Sequence, residues 1–178
     1  MLTATYSIVA LKLEQSRARW TFSSIQQYIL SSIDNLKSAG GIDFEGMLNS
    51  LAQFEQTCHQ RKMEVFVIPA LRRFTHEADA LLDELESLSE ASLALLGSLR
   101  DKLHHALRQG AATIEEMCAS LEQCCTTLYR RLTREEELVQ IAERTIPSEA
   151  WFAIAADFMS HDARMTKAMA PVHDDEEE

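Results

Sequence analysis

Residues 58 to 69 read CHQRKMEVFVIP, and the types in this stretch bear on metal chemistry. A His followed four or five positions later by a carboxylate, both on a helix, projects the two groups from one face. Helical bundles hold paired iron ions in this way. Here the fourth position after His59 is Met63 and the fifth is Glu64. A thioether is a poor ligand for hard iron. REEE at 134–137 offers a further run of carboxylates, although charge runs on helices are as a rule solvated faces. His104 and His105 point about 100° apart on a helix, which keeps them from sharing one ion; a favourable charge at a helix C-terminus explains them better. His76 falls at the start of a helix and reads as solvent-facing.

The cysteines Cys58, Cys118, Cys124 and Cys125 include an adjacent pair and no CxxC, which argues against a disulfide scaffold. Buried reduced thiols are the plain reading. A thiol redox sensor built on Cys118, Cys124 or Cys125 is the sharper alternative.

The elements that position these groups follow from composition and periodicity. A chain of 178 residues suffices for one well-buried core. Five Gly and three Pro are too few for the recurrent turns of a strand-rich fold, so the class is all-α. No apolar run reaches the roughly 18 residues of a membrane span, and no basic segment precedes the short apolar patch near the N-terminus. A cytoplasmic protein is expected. Net charge is −11, and five of the negative charges lie in the final DDEEE; without them it is −6. That balance argues against nucleic acid as a partner.

Helical spacing of Leu13, Trp20, Ile25, Ile29, Ile33 and Leu36 predicts a first helix over about 6–38, ended by AGG at 39–41. Asp43 starts a second, which carries Phe44 to Cys58 and then Val65 to Ile68, with Pro69 closing or kinking it. Thr75 caps a third that ends at Gly110. Thr113 and Glu116 form a capping-box pattern for a fourth, broken at Ile146-Pro147. A short fifth bears Trp151, Phe152, Ile154 and Phe158. Short connections make neighbouring helices antiparallel, so an up-down-up-down four-helix bundle with a short C-terminal helix is expected over 1–165. An acidic disordered tail should follow over 166–178.

The run DFEGMLNSLAQFEQTCHQRKMEVFVIPALRRFTHEADALLDELE is similar to the second and third helices of hemerythrin-like HHE cation-binding domains. REEELVQIAERTIPSEAWFAI resembles that family's fourth helix, turn and tryptophan-bearing C-terminal helix. The resemblance covers most of residues 10 to 160 and implies a four-helix bundle with a di-iron site. It also implies where ligands should fall. The first-helix histidine falls on or near Trp20. His59 matches the second-helix histidine, with Met63 where a glutamate is expected. Ser89 stands at the third-helix histidine. Either Arg130 and Arg134, or Arg131 and Glu135, occupy the fourth-helix His and Glu positions.

Those substitutions remove most of the five to seven ligands a di-iron centre needs, and an Arg brings a permanent positive charge into the pocket. Such an Arg can pair with a carboxylate such as Glu64, and Trp20 is expected to fill the space left by the metals. The implied function is a hemerythrin-like domain with a degenerate di-iron site, a non-catalytic binding or regulatory module with no catalytic, cofactor or metal residues. Its partner would be a protein, neither nucleic acid nor membrane, with homo-oligomerisation left open. The alternative is a non-haem iron protein binding or sensing oxygen, nitric oxide or peroxide through His59, Glu64 and Glu135.

Overall fold

A helix of 38 residues, α1 (Leu2–Ala39), opens the chain. The structure, a computed structural model, describes the backbone of residues 2–39, 43–109 and 114–169, and side chains over 5–34, 43–105 and 114–164. Helices α2 (Phe44–His59), α3 (Ile68–Phe74), α4 (Asp79–Gln109), α5 (Ile114–Thr145) and α6 (Ser148–Met169) follow, with a π-helical segment over Met63–Val67. Every regular element among the described residues is helical, as expected. None of these helices is long and apolar enough to cross a membrane.

Local chemistry sets most of the boundaries. Asp43 accepts a hydrogen bond from the Gly46 amide at 2.8 Å and caps α2. A Cβ at position 46 would collide with that carboxylate, so glycine suits the cap. The second helix predicted from the sequence is not continuous. It stops at His59 and resumes as a π-turn in which Met63 O accepts from Ile68 N. Pro69 follows at once; it has no amide to donate, and its ring crowds the preceding turn, which the wider π geometry relieves.

Thr75 is extended and accepts from the Glu77 amide at 3.1 Å, but α4 begins only at Asp79. The predicted stops at Gly110 and in the AGG run, and the Thr113 cap, involve positions 40–42 and 110–113, outside the described residues. Ile146 is buried where the chain turns at Pro147 into α6. This last helix is not short: its 22 residues run into the segment read as tail, and 170–178 lie outside the described residues.

α5 packs on α4 and α1, and α1 also meets α6 and α2. The core falls into two apolar clusters. One gathers Leu11, Met63, Val67, Leu82, Leu85, Leu138, Trp151 and Phe158. The other gathers Phe22, Ile29, Leu51, Phe54, Cys58, Leu99, Leu121 and Leu128.

Candidate functional site

Between the two clusters the core turns polar. On α1, Gln15 falls between Leu11 of one cluster and Phe22 of the other. Glu55 and Arg61 occupy the interval between Leu51 and Met63, and on α5 Arg131 and Glu135 stand between Leu128 and Leu138. All five are buried, Arg131 and Glu135 completely. On α4, Ser92 is also buried and donates to the Ser89 carbonyl at 2.9 Å.

The arginines organise this layer. Arg131 donates through Nη1 to Glu55 Oε1 at 2.8 Å, through Nη2 to Glu64 Oε1 at 2.5 Å, and more weakly through Nε to Glu135 Oε1 at 3.3 Å. Arg61 Nη1 donates to Glu135 Oε2 at 2.6 Å, and its Nη2 donates to Gln15 Oε1. Gln15 returns a bond to Glu135 Oε2 at 3.1 Å. Glu135 therefore bridges two guanidiniums. Charge-assisted bonds of this kind are the strong ones, and the fork of arginine suits several carboxylates at once. Within this layer two buried side-chain atoms stay without a hydrogen-bond partner, Glu55 Oε2 and Arg61 Nε.

The electrostatics are dominated by burial. Desolvation opposes the charge on Arg131, yet Glu55, Cys58, Glu135 and Glu64 hold its pKa above the ordinary value. Arg61 behaves likewise, with Glu135 the foremost of the groups that offset its burial. Burial raises the Glu14 carboxyl, opposed by Arg61 and Lys62; its Oε2 accepts the Lys62 amide at 3.0 Å. The same cause pushes the thiols of Cys58 and Cys124 up to about 12 and that of Cys125 to about 11. All four cysteines are free and buried, the opposite of what a reactive thiol needs.

Three residues of the iron reading meet this layer in different ways. Glu64 and Glu135 are both bound to Arg131, whereas His59 lies half exposed at the edge, its Nε2 3.4 Å from Glu55 Oε1. Among the described residues no group of three or more His, Cys, Asp or Glu is placed to hold a metal ion. The donor set does not fit iron, because guanidinium nitrogens take oxygens of all three carboxylates. A cleft of about 220 Å³, lined by His59, Glu64, Leu85 and Ser89, reaches one side of the layer. A groove of about 450 Å³ between α1 and α2 reaches Arg61 on another.

Of the two fourth-helix registers, Arg131 with Glu135 faces the layer. Arg130 is exposed and pairs with Glu84, while Arg134 pairs with Glu84 and Glu137 nearer the surface. Met63 is wholly buried among apolar side chains, and the π-turn brings Glu64 to Arg131.

Trp20 is a correction. It is 74% exposed and fills no cavity. Leu11, Gln15, Phe22 and Ile29 set the inward face of α1, and Trp20 lies about 160° round the helix from Phe22. Gln15 takes the place in the layer that was expected of Trp20. The sequence reading passed over Gln15, Glu55 and Arg61. Gln15 sits one turn from Leu11 and Glu55 one turn before His59, a signal that was readable; Arg61, in the break after α2, has none. Comparison with family models, curated proteins and solved structures finds no match.

Proposed function

We propose that the chain is a hemerythrin-like up-down-up-down bundle, formed by α1, the α2 to α3 segment, α4 and α5 with α6 packed alongside, whose di-iron centre is replaced by ion pairs. It acts in the cytoplasm as a non-catalytic binding or regulatory module. The observation that carries this reading is Arg131, fully buried and bonded to Glu55, Glu64 and Glu135. A permanent cation there does electrostatically what metal ions would do among the same carboxylates. Nucleophilic or acid-base chemistry has little support, since the buried thiols are held protonated and the layer's carboxylates are engaged by arginines.

Metal analysis of protein from iron-supplemented cells tests the reading. The expected content is well below one iron per chain; about two irons per chain, as a di-iron bundle holds, would sink it.

A further inference from the structure

The cleft beside the buried layer joins two kinds of surface. Leu82, Leu85 and Ser89 follow one another at intervals of three and four residues on α4, so one face of that helix gives it two apolar side chains and a hydroxyl. Ile68 adds to the apolar side. His59, at the end of α2, and Glu64, in the π-turn, supply the polar side. Charge is unbalanced beneath them. The layer sets the carboxylates of Glu55, Glu64 and Glu135 against only the two guanidiniums of Arg61 and Arg131. Glu55, 1% exposed, keeps Oε2 without a partner, and Glu64 gives Oε1 to Arg131 while its Oε2 has no partner among the described residues. Arg72 and Glu86 also line the cleft, but they face each other at 3.3 Å and cancel. A carboxylate in excess where water is scarce calls for a counter-cation.

We propose that this cleft binds a small primary amine as its ammonium ion, the head among Glu64, Ser89 and His59 and a short alkyl body on Ile68, Leu82 and Leu85. A primary ammonium has three N–H donors and no acceptor. The cleft meets it with three acceptors, Glu64 Oε2, the Ser89 hydroxyl and the ring of neutral His59. The Nε2 of His59 lies 3.4 Å from Glu55 Oε1, and the tautomer protonated there leaves Nδ1 to accept. The bond to Glu64 is charge-assisted, the kind that contributes most.

Size and lining narrow the class. The cleft is about 220 Å³. At about 30 Å³ per water-sized group it takes the head and about four to six carbons. A quaternary ammonium has no donor for these acceptors, and among the described residues no aromatic ring lines the cleft to hold one. Arg72 and Glu86, both exposed, present charge rather than apolar surface at the mouth, which favours a free amine over the lysine of a docked protein. The inference rests on the arginine-paired layer and gives the binding module proposed above a ligand. The two fail separately, since iron content judges the layer and amine binding judges the cleft.

Titration of the full chain with n-butylamine, followed by amide NMR shifts, should saturate with a Kd of about 1 mM or lower. The shifts should centre on 59–68 and 82–89. Butyrate and tetramethylammonium should bind at least about tenfold more weakly. Glu64→Gln should weaken butylamine by about tenfold, and Ser89→Ala, which leaves the bond to Arg131 intact, by about threefold, both with unchanged circular dichroism. No saturation by about 10 mM, butyrate or tetramethylammonium held as tightly, shifts centred elsewhere, or an affinity indifferent to both variants would each overturn the proposal. Tighter binding of Nα-acetyl-lysine amide than of butylamine would give the cleft to a partner protein's lysine and overturn it as well.

Discussion

Arg131 Nη1 stands 2.8 Å from Glu55 Oε1, with both side chains withdrawn from water. An ion pair so placed gains little over apolar packing, because desolvation consumes most of the attraction. Losing one partner is another matter. The survivor is then a buried charge with nothing to balance it.

Arg131→Met should therefore destabilise the fold by about 3–5 kcal/mol, since it strands Glu55 and weakens the hold on Glu135. Glu64→Gln, at the partly exposed rim, should cost about 1 kcal/mol or less. Urea unfolding of the two variants checks the order. Equal costs would show that the depth of the layer does not govern its energetics.

Trp20→Ala should change stability by no more than about 0.5 kcal/mol, as expected of an exposed position. Trp151→Ala, which empties a buried site in the apolar cluster that holds Leu11 and Phe158, should cost about 3–5 kcal/mol. Thermal or denaturant midpoints distinguish them, and a large loss at Trp20 would contradict the outward face of α1.

Glu14 sets a pH dependence. Burial, the largest influence, raises its pKa in the folded state above 4.5. A raised carboxyl contributes stability fully present below the unfolded value and lost as pH rises through the folded one. At neutral pH the ionised group therefore costs stability. Glu14→Gln should raise the denaturant midpoint there, keeping an acceptor for the Lys62 amide, and the gain should vanish below pH 4.5. A gain that instead grew on acidification would reverse the assignment.

The thiols should resist labelling in the native protein, because burial holds Cys58, Cys124 and Cys125 far above the ordinary thiol range. Cys118, the shallowest, should react first. Counting with an aromatic disulfide reagent should find all four only after denaturation. Prompt reaction of Cys124 or Cys125 would revive a redox role.

Replacing Gln15, Arg61 and Arg131 with His in one chain removes two fixed cations and leaves three imidazoles beside Glu55, Glu64 and Glu135. That variant should bind about one divalent ion or more per chain. Histidines at Trp20 and Arg130, which face water, should add none. Metal stoichiometry after dialysis decides it.

The helical class was legible because few Gly and Pro interrupt long periodic runs, and the turn at Ile146-Pro147 was legible for the same reason. The break after His59 was not, since QRKMEVFV carries no Gly or Pro and reads as unbroken helix until Pro69. Trp20 was misread for a different physical reason. α1 bears apolar residues on two opposite faces, and a count of spacings superimposed Leu13 and Trp20 on the inward set of Ile25 and Ile29. The resemblance pointed to a fourth-helix arginine beside a carboxylate such as Glu64 without deciding between Arg130 and Arg131; the residue that pairs is Arg131. Gln15, Glu55 and Arg61 were hidden because polar types on helices are expected to face water, and only the neighbouring charges keep these inside.

The charged layer between the two apolar clusters also acts as a ruler. Leucines slide past leucines at little cost, but a shift of one turn, about 5.4 Å, would carry Arg131 away from Glu55 and set both against hydrocarbon. Only one vertical alignment of α1, α2 and α5 brings Gln15, Glu55 and Glu135 level with the two guanidiniums. A chain with all five of those positions made apolar could hold together as firmly, yet it would lose the marks that tell each helix how far along its neighbours to stop.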